Sequence, residues 1–238
     1  MAKIVICVQA RLNSQRFPEK INTPFCGTTM IGFILSTCSN ALLFFNGNNK
    51  PHESEIWLAV PKEDLSQIKG IPSYVHLYGG SRDDVLSRYS EVLAQSHADY
   101  IVRITGDCPL IPTQVILQCM ELAIKGEFDY FSNVDESCRT MPDGWDCEVI
   151  SKRLLLTLDD QAKDPDDREH VTTWLRKEGN RPEWANYGML MNWMDLSHIK
   201  VSVDTADDLA RVKKEAQIYR KKFMRALEVC GNGTVFSI

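Results

Sequence analysis

The first strand-like segment constrains the fold more than any other feature of this sequence. Residues Ile4 to Val8 read IVICV, an unbroken apolar run that is rich in β-branched side chains. A strand that is apolar on both faces is typical of a parallel sheet covered by helices on both sides. A second such run, Glu55 to Val60, stops at Pro61, and Met30 to Leu43 between them has apolar residues at helical spacing. The order strand, helix, strand predicts a right-handed βαβ unit and an α/β fold.

Strands and helices continue to alternate along the chain. In GGSRDDVLSRYSEVLAQ, Ser81 and Asp84 form a helix start signal ahead of an apolar stripe. The segment YIVRIT, Tyr100 to Thr105, predicts a strand that leads into the loop TGDCP. The other predicted elements are a helix Thr113 to Lys125 ended by Gly126, a short strand Phe128 to Ser132, a helix from Pro165 to Gly179 capped by Asp164, a strand ending at Val203, and a helix capped by Thr205 with Asp208 three residues later.

Three segments have no clear period. Phe45 to Ser54, which contains NGNNKP, is predicted to be an exposed loop. Asp135 to Val149 is predicted to be an irregular connection with a short antiparallel strand, and no structure is predicted for the tail after Cys230. The first of these segments is too short to be a domain linker. We therefore expect one domain over residues 1–238, built on a mostly parallel sheet between helices.

Composition narrows the classes of function. No apolar stretch is expected to reach the roughly 18 residues of a membrane span, and the first run meets Arg11 too soon for a signal peptide, which predicts a cytoplasmic protein with no membrane partner. A net charge of -5 and a pI of about 5.6 disfavour a nucleic-acid partner. The eight cysteines contain no C-x-x-C pair, so neither a zinc site nor a disulfide scaffold is predicted. Any polyanionic ligand must be bound locally, by a few cations or a metal.

Basic residues cluster directly after the first predicted strand. The loop QARLNSQRFPEK, Gln9 to Lys20, contains Arg11, Arg16 and Lys20 around Ser14. Ligands of open α/β sheets bind beyond the carboxyl ends of the strands, where backbone N–H groups, arginine forks and a compact lysine charge suit a triphosphate. The alternative is that the three cations only decorate an exposed loop and pair with surface carboxylates.

Two aspartates follow other predicted strands. Asp107 lies in TGDCP, and Asp204 lies in VDT after the last predicted strand. Magnesium prefers one or two carboxylates, completed by phosphate oxygens and water, so this pair is a sufficient protein contribution to a Mg²⁺ site. Each aspartate also has a structural alternative, because acids are common at helix starts such as the one after Asp204.

Longer motifs in these loops resemble a known family. They cover nearly the whole chain up to the last helix: QARLNSQRFPEK (9–20), GGSRDDVL (79–86), RITGDCPL (103–110), PDG (142–144) with Asp146 and Glu148, DREHVT (167–172) and VDT (203–205). The chain is similar to the SpsF-like cytidylyltransferases of spore-coat polysaccharide biosynthesis, which are related to the CMP-Kdo and acylneuraminate cytidylyltransferases. The resemblance implies the nucleotide-diphospho-sugar transferase fold, which is GT-A-like and Rossmann-like. It also implies magnesium-dependent transfer of CMP from CTP to an acceptor, with release of pyrophosphate.

The resemblance assigns roles to individual residues. Nucleotide binding would fall to Gln9, Ala10, Arg11, Ser14, Arg16, Lys20, Ser81, Arg82 and Asp107. The catalytic set would be Arg11, Lys20, Asp107 and Asp204, with the two aspartates holding Mg²⁺. The acceptor side would be formed by Asp143, Asp146, Glu169 and His170. The acceptor expected is an acidic or keto sugar-type compound for surface polysaccharide synthesis, or a small phosphorylated or phosphonate compound, and the frequent pairing of relatives is compatible with a homodimer.

The chain departs from the family pattern in the first loop. The usual R-L-P-G-K is Arg16-Phe17-Pro18-Glu19-Lys20 here, which places an acid beside the lysine, and Asn13 replaces a glycine. Because asparagine adopts left-handed backbone more readily than most residues, we expect the loop to keep its shape at Asn13.

Two other function classes remain open. A GT-A-like glycosyltransferase would transfer a sugar without releasing pyrophosphate, and a non-catalytic nucleotide-binding protein would bind CTP without turnover. The presence of Asp107, Asp204 and Lys20 disfavours the second. His170 is expected to contact the acceptor, and a buried histidine in a capped helix is its alternative. Trp145 and Trp193 are candidates to line a sugar, although such aromatic residues more often belong to the core.

Overall fold

The computed structural model of the protein describes residues 2–48, 54–135, 139–190 and 194–229. The strands in these ranges are β1 Ile4–Gln9, β2 Pro24–Phe25, β3 Thr28–Thr29, β4 Ser54–Pro61, β5 His76–Gly80, β6 Tyr100–Thr105, β7 Tyr130–Ser132, β8 Cys147–Ser151 and β9 Tyr187–Met189. The α-helices are α1 Met30–Asn48, α2 Val85–Ser96, α3 Thr113–Lys125, α4 Lys152–Gln161, α5 Pro165–His170 and α6 Ala206–Val229.

One sheet of seven strands forms the centre of the molecule, in the order β5-β4-β1-β6-β8-β7-β9. Strands β5, β4, β1 and β6 are parallel neighbours. Strand β8 runs antiparallel to both β6 and β7, and β9 pairs with β7 in parallel. The predicted mostly parallel sheet is confirmed, and the carboxyl ends of β1, β4 and β6 meet at one edge.

Helices cover both faces of this sheet. In β1, Ile4, Ile6 and Val8 belong to the core that contains α1, α3 and α6, whereas Val5 and Cys7 belong to the core that contains α2 and α4. All five side chains are completely buried. Burial on both faces is the reason that this run has no polar alternation.

Two predictions are wrong in the region of helix α1. Its window Met30–Gly47 is long and apolar enough to cross a membrane by length and composition, although no such stretch was expected. Its apolar side chains, including Ile31 and Leu35, pack into the core of the sheet, so it is a core helix here. The predicted start of the exposed loop, at Phe45, is also wrong, because α1 continues to Asn48 and Phe45 is buried. Residues 49–53 of that loop lie outside the described ranges.

Several predicted boundaries are confirmed. Strand β6 and helix α3 have the predicted ends, and Gly126 ends α3 in the left-handed conformation with φ 66°. Helix α2, however, begins three residues later than its predicted start signal. The Asp84 carboxylate accepts the N–H of Ser87 at 2.9 Å and caps α2, while the Ser81 hydroxyl accepts the N–H of Asp84 at 3.1 Å in the preceding turn.

The helix predicted from Pro165 to Gly179 is wrong. Helix α5 ends at His170, and a 3₁₀ turn follows at Thr173–Arg176. Val171 separates them with φ 64° and ψ -58°, and the N–H of Thr172 bonds the carbonyl of His170 at 2.7 Å. This three-residue turn is rare for a β-branched residue. It ends the helix, and the Val171 side chain is completely buried.

The strand predicted to end at Val203 is not formed either. Residues 200–203 meet the PDG segment through one isolated bridge between Asp143 and Lys200, and the N–H of Val203 bonds the carbonyl of Asp107 at 2.8 Å. Single hydrogen bonds replace a strand ladder here. The predicted cap of the following helix is confirmed: the Asp208 carboxylate accepts the N–H of Thr205 at 3.0 Å, the Thr205 hydroxyl accepts the N–H of Asp208 at 3.2 Å, and α6 begins at Ala206.

Strands β2, β3, β5 and β9 and helix α4 were not predicted. The short antiparallel strand expected within Asp135 to Val149 is present as β8, although it begins only at Cys147. Trp193, Cys138 and the tail from Cys230 lie outside the described residues. Trp145 is partly buried and packs against the core.

Candidate active site

The loops after β1 and β6 lie against each other. The two strands are parallel neighbours, with Gln9 opposite Thr105. Beyond them the N–H of Gly106 bonds the carbonyl of Gln9 at 2.8 Å. A Cβ atom at Gly106 would lie 2.8 Å from the Cβ of Ala10 and 2.9 Å from the carbonyl oxygen of Gln9. Only glycine therefore allows this close approach, which brings Asp107 beside the first loop.

The first loop folds back on a buried leucine. Leu12 donates its N–H to the buried Asp64 carboxylate at 2.8 Å, and its carbonyl accepts the N–H groups of Ser14 at 3.0 Å and Glu19 at 2.8 Å. The sequence predicts a left-handed backbone at Asn13. The left-handed residue of this loop is instead Glu19, which has φ 56° and ψ 19°. Glu19 occupies the position of the usual family glycine, and its conformation is the one that glycine favours.

The three cations of the first loop each meet a carboxylate from another part of the chain. Lys20 lies 3.5 Å from Asp107, Arg16 lies 3.1 Å from Asp204, and Arg11 lies 3.0 Å from Glu169. These contacts are the ion pairs Lys20–Asp107, Arg16–Asp204 and Arg11–Glu169. The two arginines are exposed, and exposed ion pairs are worth about 0–1 kcal/mol, so a more strongly charged ligand can replace these two pairs. Lys20 is more buried than either arginine.

Asp204 is bound through both its side chain and its backbone. Its carboxylate binds Arg16 on one oxygen and Lys200, at 2.7 Å, on the other. Its N–H donates to the Asp208 carboxylate at 3.1 Å. Lys20 completes this arrangement, since its ammonium group donates to the carbonyl of Val203 at 2.7 Å. Lys200 was not singled out from the sequence, although its i,i+4 spacing to Asp204 was visible.

The Asp107 carboxylate is poised in its ionised form. Partial burial opposes ionisation, but Lys20 and hydrogen bonds from Thr105 and Cys108 hold the pKa of Asp107 below its usual value. Cys108 is buried, and its thiol donates to Asp107 at 3.6 Å and contacts the Thr105 hydroxyl at 3.1 Å. The thiol thus packs beneath the carboxylate as an orienting neighbour.

A cavity of about 270 Å³ opens beside these aspartates. It is lined by Asp107 and Asp204 together with three of the four residues predicted for the acceptor side, Asp143, Asp146 and His170. The fourth, Glu169, pairs with Arg11 instead. His170 is exposed, with its ring 3.5 Å from Asp166, so the alternative of a buried histidine is not what the structure contains.

The PDG segment is fastened to the backbone before Asp204. Gly144 has φ 105°, and a Cβ atom there would lie 2.4 Å from the nitrogen of Ser202. The Ser202 hydroxyl donates to Asp143 at 3.1 Å. Arg139 pairs with Asp146, yet burial raises the pKa of Asp146 above its usual value. The acceptor-side acids therefore sit on a closely packed support.

A buried charge network forms the floor of this cavity. Glu148 is 1% exposed, pairs with Arg103, and accepts hydrogen bonds from the hydroxyls of Tyr130 and Thr172. Burial opposes its ionisation, but Arg103 and these hydroxyls hold the pKa of Glu148 below its usual value. The turn at Val171 is what aims the Thr172 hydroxyl at Glu148, while His170 stays at the cavity.

A second cleft, of about 420 Å³, lies along the first loop. Three of the predicted nucleotide-binding residues, Arg11, Ser14 and Arg82, line it together with Asn13, Gln15, Pro18, Pro61 and Asp83. Gln9, Ala10 and Ser81 do not line it: the Gln9 amide oxygen accepts the hydroxyl of Tyr89 at 3.0 Å, Ala10 is buried, and the carbonyl of Ser81 accepts from Arg88. These three residues shape the loops rather than the cleft surface.

Comparison with known proteins identifies the family. The profile of the cytidylyltransferases matches residues 5–231. The chain belongs to the cytidylyltransferase family. The predicted resemblance to SpsF-like members is confirmed by a 23% identity over 218 residues to the spore coat polysaccharide biosynthesis protein SpsF of Bacillus subtilis (strain 168), which covers 90% of this chain and 86% of SpsF.

Solved structures agree with this cytidylyltransferase assignment. A cytidylyltransferase from Leptospira borgpetersenii serovar Hardjo-bovis (strain JB197) matches with a TM-score of 0.77 at 25% identity, covering 99% of this chain and 100% of that one. The structure of CMP:2-keto-3-deoxy-manno-octonic acid synthetase complexed with CTP matches with a TM-score of 0.63 at 16% identity, covering 92% and 100%. The second likeness establishes the shared fold.

The donor set of this cytidylyltransferase fits magnesium. Four aspartates line the first cavity, the one of about 270 Å³, and carboxylate oxygens are the protein ligands that Mg²⁺ prefers. No three His, Cys, Asp or Glu side chains among the described residues are clustered closely enough to hold a metal alone. A metal between Asp107 and Asp204 would thus take its other ligands from phosphate oxygens and water.

Sequence reasoning missed three residues at the acceptor-side cavity. Arg103 and Thr172 lie inside motifs that were noticed, but neither was given a role, and Arg176 was assigned to the last turn of a regular helix. The 3₁₀ turn instead brings Arg176 to the cavity, where its side chain is exposed and forms no ion pair with any described residue. The available signals were the positions of Arg103 within RITGDCPL and of Thr172 within DREHVT.

Proposed function

We propose that this protein transfers CMP from CTP to an acidic or keto sugar-type acceptor, with release of pyrophosphate, in the synthesis of surface polysaccharide precursors. The observation that carries the proposal is the convergence of Arg11, Arg16 and Lys20 on carboxylates from the opposite rim. A set of cations that faces two aspartates suits a triphosphate with its divalent ion.

The neighbours of the chain support the class of acceptor. SpsF is named for spore coat polysaccharide biosynthesis, and the synthetase that shares the fold joins CMP to a 2-keto sugar acid. The first name points to a surface polysaccharide, and the second points to a sugar acid as the acceptor of CMP. We place the protein in the cytoplasm on the same reasoning, because nucleotide sugars of this kind are made where CTP is available.

The first loop would bind the triphosphate. Arg16 and Arg11 offer bidentate forks to phosphate oxygens, and Lys20 offers a compact charge that can follow the departing pyrophosphate. Lys20 is 11% exposed on its side chain, whereas Arg16 is 69% exposed. We therefore assign Lys20 to the reacting phosphates and Arg16 to the more mobile outer phosphates.

Asp107 and Asp204 would hold Mg²⁺, which when bound would neutralise negative charge on the phosphate oxygens. The residues of the chain would do the remaining work. An acceptor hydroxyl oxygen attacks the α-phosphorus, the bond to the pyrophosphate oxygen breaks, and the proton passes to the exposed imidazole of His170. Lys20 and Arg11 stabilise the charge that builds on the leaving group. An acceptor that already carries a phosphate needs no base.

The acceptor-side cavity favours an anionic compound. Arg176 is exposed at this cavity without an ion-pair partner among the described residues, and it lies close enough to Glu148 to favour its ionised form. A carboxylate or phosphate on the acceptor would bind this guanidinium, while Asp143 and Asp146 would accept hydrogen bonds from hydroxyl groups. The same observation supports the second candidate, a cytidylyltransferase for small phosphorylated or phosphonate acceptors.

The proposal is tested by measuring pyrophosphate release from CTP, UTP, ATP and GTP with magnesium. Acceptors are offered in three groups: 2-keto sugar acids, neutral sugars, and phosphorylated or phosphonate compounds. We expect release from CTP with an anionic acceptor and none with a neutral sugar. Transfer from a nucleotide sugar without pyrophosphate release would instead identify a glycosyltransferase and refute the proposal.

A further inference from the structure

Arg88, on the buried side of α2, is the least expected charge in the protein. Its side chain is 2% exposed, and it forms no ion pair with a carboxylate in the ranges that the structure describes. Its Nε atom has no hydrogen-bond partner. Burial lowers the pKa of Arg88, which expresses the cost of keeping an unpaired guanidinium out of water. An apolar residue would be buried here at a lower free-energy cost, so the presence of a guanidinium calls for a functional explanation.

The Arg88 guanidinium binds the backbone of the loop that joins β5 to α2. Its Nη1 donates to the carbonyl of Ser81 at 2.7 Å and to the carbonyl of Arg82 at 3.4 Å. The arrangement is tight, because a Cβ atom at Gly80 would lie 2.9 Å from the Cγ of Arg88. One side chain thus fixes two successive peptide planes.

Fixing the carbonyls also fixes the N–H groups. In a trans peptide the carbonyl and the N–H of the next residue point in opposite directions, and the chain contains no cis peptide in the described residues. The N–H groups of Arg82 and Asp83 therefore point away from buried Arg88, to the exposed side. Both residues line the second cleft, and neither N–H donates a hydrogen bond within the described chain. Two adjacent free donors face this cleft.

The local charge favours a neutral ligand group over a phosphate at these donors. Arg82 is already paired with Glu63 at 2.7 Å, and the carboxylate of Asp83 adds a further negative charge. Of the first-loop cations only Arg11 lines this cleft, whereas Arg16 and Lys20 pair with Asp204 and Asp107, which line the first cavity. Two adjacent acceptor atoms of a base are the matching neutral group. Cytosine presents O2 and N3 as adjacent acceptors, whereas N3 of uracil carries a proton and would face a donor.

We propose that Arg88 is a positioning residue that turns the N–H groups of Arg82 and Asp83 into the cleft, where they select cytosine over uracil. The inference rests on the proposed function, because it requires a pyrimidine nucleotide in this cleft. It adds a residue that does not touch the nucleotide yet sets its base specificity. A site that leaves a buried or aligned donor unpaired rejects the wrong ligand by about 10-fold or more.

The first experiment measures binding of CTP, UTP and inorganic pyrophosphate, each with magnesium, by calorimetry. The wild type should bind CTP more tightly than UTP. Arg88→Met should reduce the CTP-to-UTP affinity ratio by about 10-fold with pyrophosphate binding unchanged, and Arg88→Gln should restore part of the ratio because its amide still donates to one carbonyl. Glu91→Gln, on the exposed side of α2, is the matched control and should change nothing.

A second measurement uses only the wild-type protein, so it stands even if an Arg88 variant does not fold. The backbone amide resonances of Arg82 and Asp83 should shift with CTP and not with UTP. An unchanged affinity ratio in a folded Arg88→Met protein, or amides that do not respond to CTP, would overturn the inference. Loss of pyrophosphate binding in Arg88→Met would overturn it too, since the loop would then recognise phosphate. A wild type without preference for CTP would refute the proposed function itself.

Discussion

The ammonium group of Lys20 lies 3.5 Å from the Asp107 carboxylate and donates to the carbonyl of Val203 at 2.7 Å. One side chain thus joins the loop after β1, the loop after β6 and the segment that carries Asp204. Because these segments already lie together, a magnesium-bound triphosphate could bind without a movement of the backbone. Lys20 would only need to exchange its carboxylate partner for phosphate oxygens.

Asp107 and Asp204 should be needed for turnover but not for folding. Asp107→Asn and Asp204→Asn keep the shape of the side chains but remove the charges proposed for Mg²⁺. We expect pyrophosphate release to fall by about 100-fold or more in each, with thermal unfolding within a few degrees of the wild type. Asp207→Asn, an exposed acid in the first turn of α6, is the control and should retain full activity. Near-normal turnover in either site variant would remove that aspartate from the mechanism.

Glu19 should lower both the stability of the first loop and its affinity for CTP. A left-handed residue other than glycine costs about 1–2 kcal/mol, and the Glu19 carboxylate adds negative charge next to Lys20. Glu19→Gly should bind CTP more tightly and should be at least as stable as the wild type, since relief of strain outweighs the roughly 0.5–1 kcal/mol of added chain entropy. Glu19→Gln separates the effects: it should improve CTP binding without a gain in stability. Equal CTP affinities in all three proteins would contradict the charge argument.

Gly106 should control the spacing of the two loops. Gly106→Ala places a methyl group 2.8 Å from the Cβ of Ala10, so the Asp107 loop must move away from the first loop. We expect the turnover number to fall by about 10- to 100-fold, because small displacements of reacting groups are costly. Gly47→Ala is the control, since a Cβ there meets no atom within 4 Å, and it should raise stability by roughly 0.5–1 kcal/mol. Unchanged turnover in Gly106→Ala would show that the spacing is not critical.

The cap of α6 should depend on pH. Burial opposes ionisation of Asp208, but Arg211, the Thr205 hydroxyl and two backbone N–H groups lower its pKa to about 2. Its ionised form therefore stabilises the fold above the ordinary aspartate pKa of about 3.9, and this stabilisation is lost as the pH falls through that value toward the folded-state pKa. In urea unfolding at pH 6, Asp208→Asn should be less stable than the wild type by about 1 kcal/mol.

That stability difference should shrink steadily between pH 4 and roughly pH 2, as the wild-type carboxylate gains a proton. Asp207→Asn again serves as the control, with no comparable change. Asp208→Asn should also reduce turnover, since the Asp208 carboxylate holds the N–H of Asp204 at 3.1 Å. A difference that stays constant over this range of pH would mean that the charge of Asp208 contributes nothing to the cap.

The sequence predicted the interior of the sheet well because burial there leaves a strong pattern. Strands β1 and β4 are mostly apolar on both faces, and β6 is apolar apart from Tyr100, Arg103 and Thr105, so their runs could be recognised without knowledge of their partners. The edge strand β5 could not, since His76 and Leu77 are exposed and its sequence ends in two glycines. The loops that follow the central strands were predicted with their cations and acids, because the topology brings the carboxyl ends together.

The acceptor side was predicted less well because its shape depends on tertiary contacts. The helix expected through Val171 has an acceptable local sequence, but the core holds Val171 in a turn, and Arg176 consequently reaches the cavity. The segment before Asp204 has a strand-like pattern, yet its partners are single groups of Asp143 and Asp107. Arg88 illustrates the same limit, since an arginine within an apolar stripe gives no sign that it binds the carbonyls of a loop.

The most direct test of the central claim is a crystal structure of the protein with CTP and magnesium. We predict a metal bound by Asp107 and Asp204, with Lys20 moved from Asp107 to the phosphate oxygens and Arg16 moved from Asp204 to the outer phosphates. The cytosine should lie in the cleft beside Arg82 and Asp83. A nucleotide bound elsewhere, or a metal that contacts neither aspartate while Lys20 still pairs with Asp107, would contradict the account.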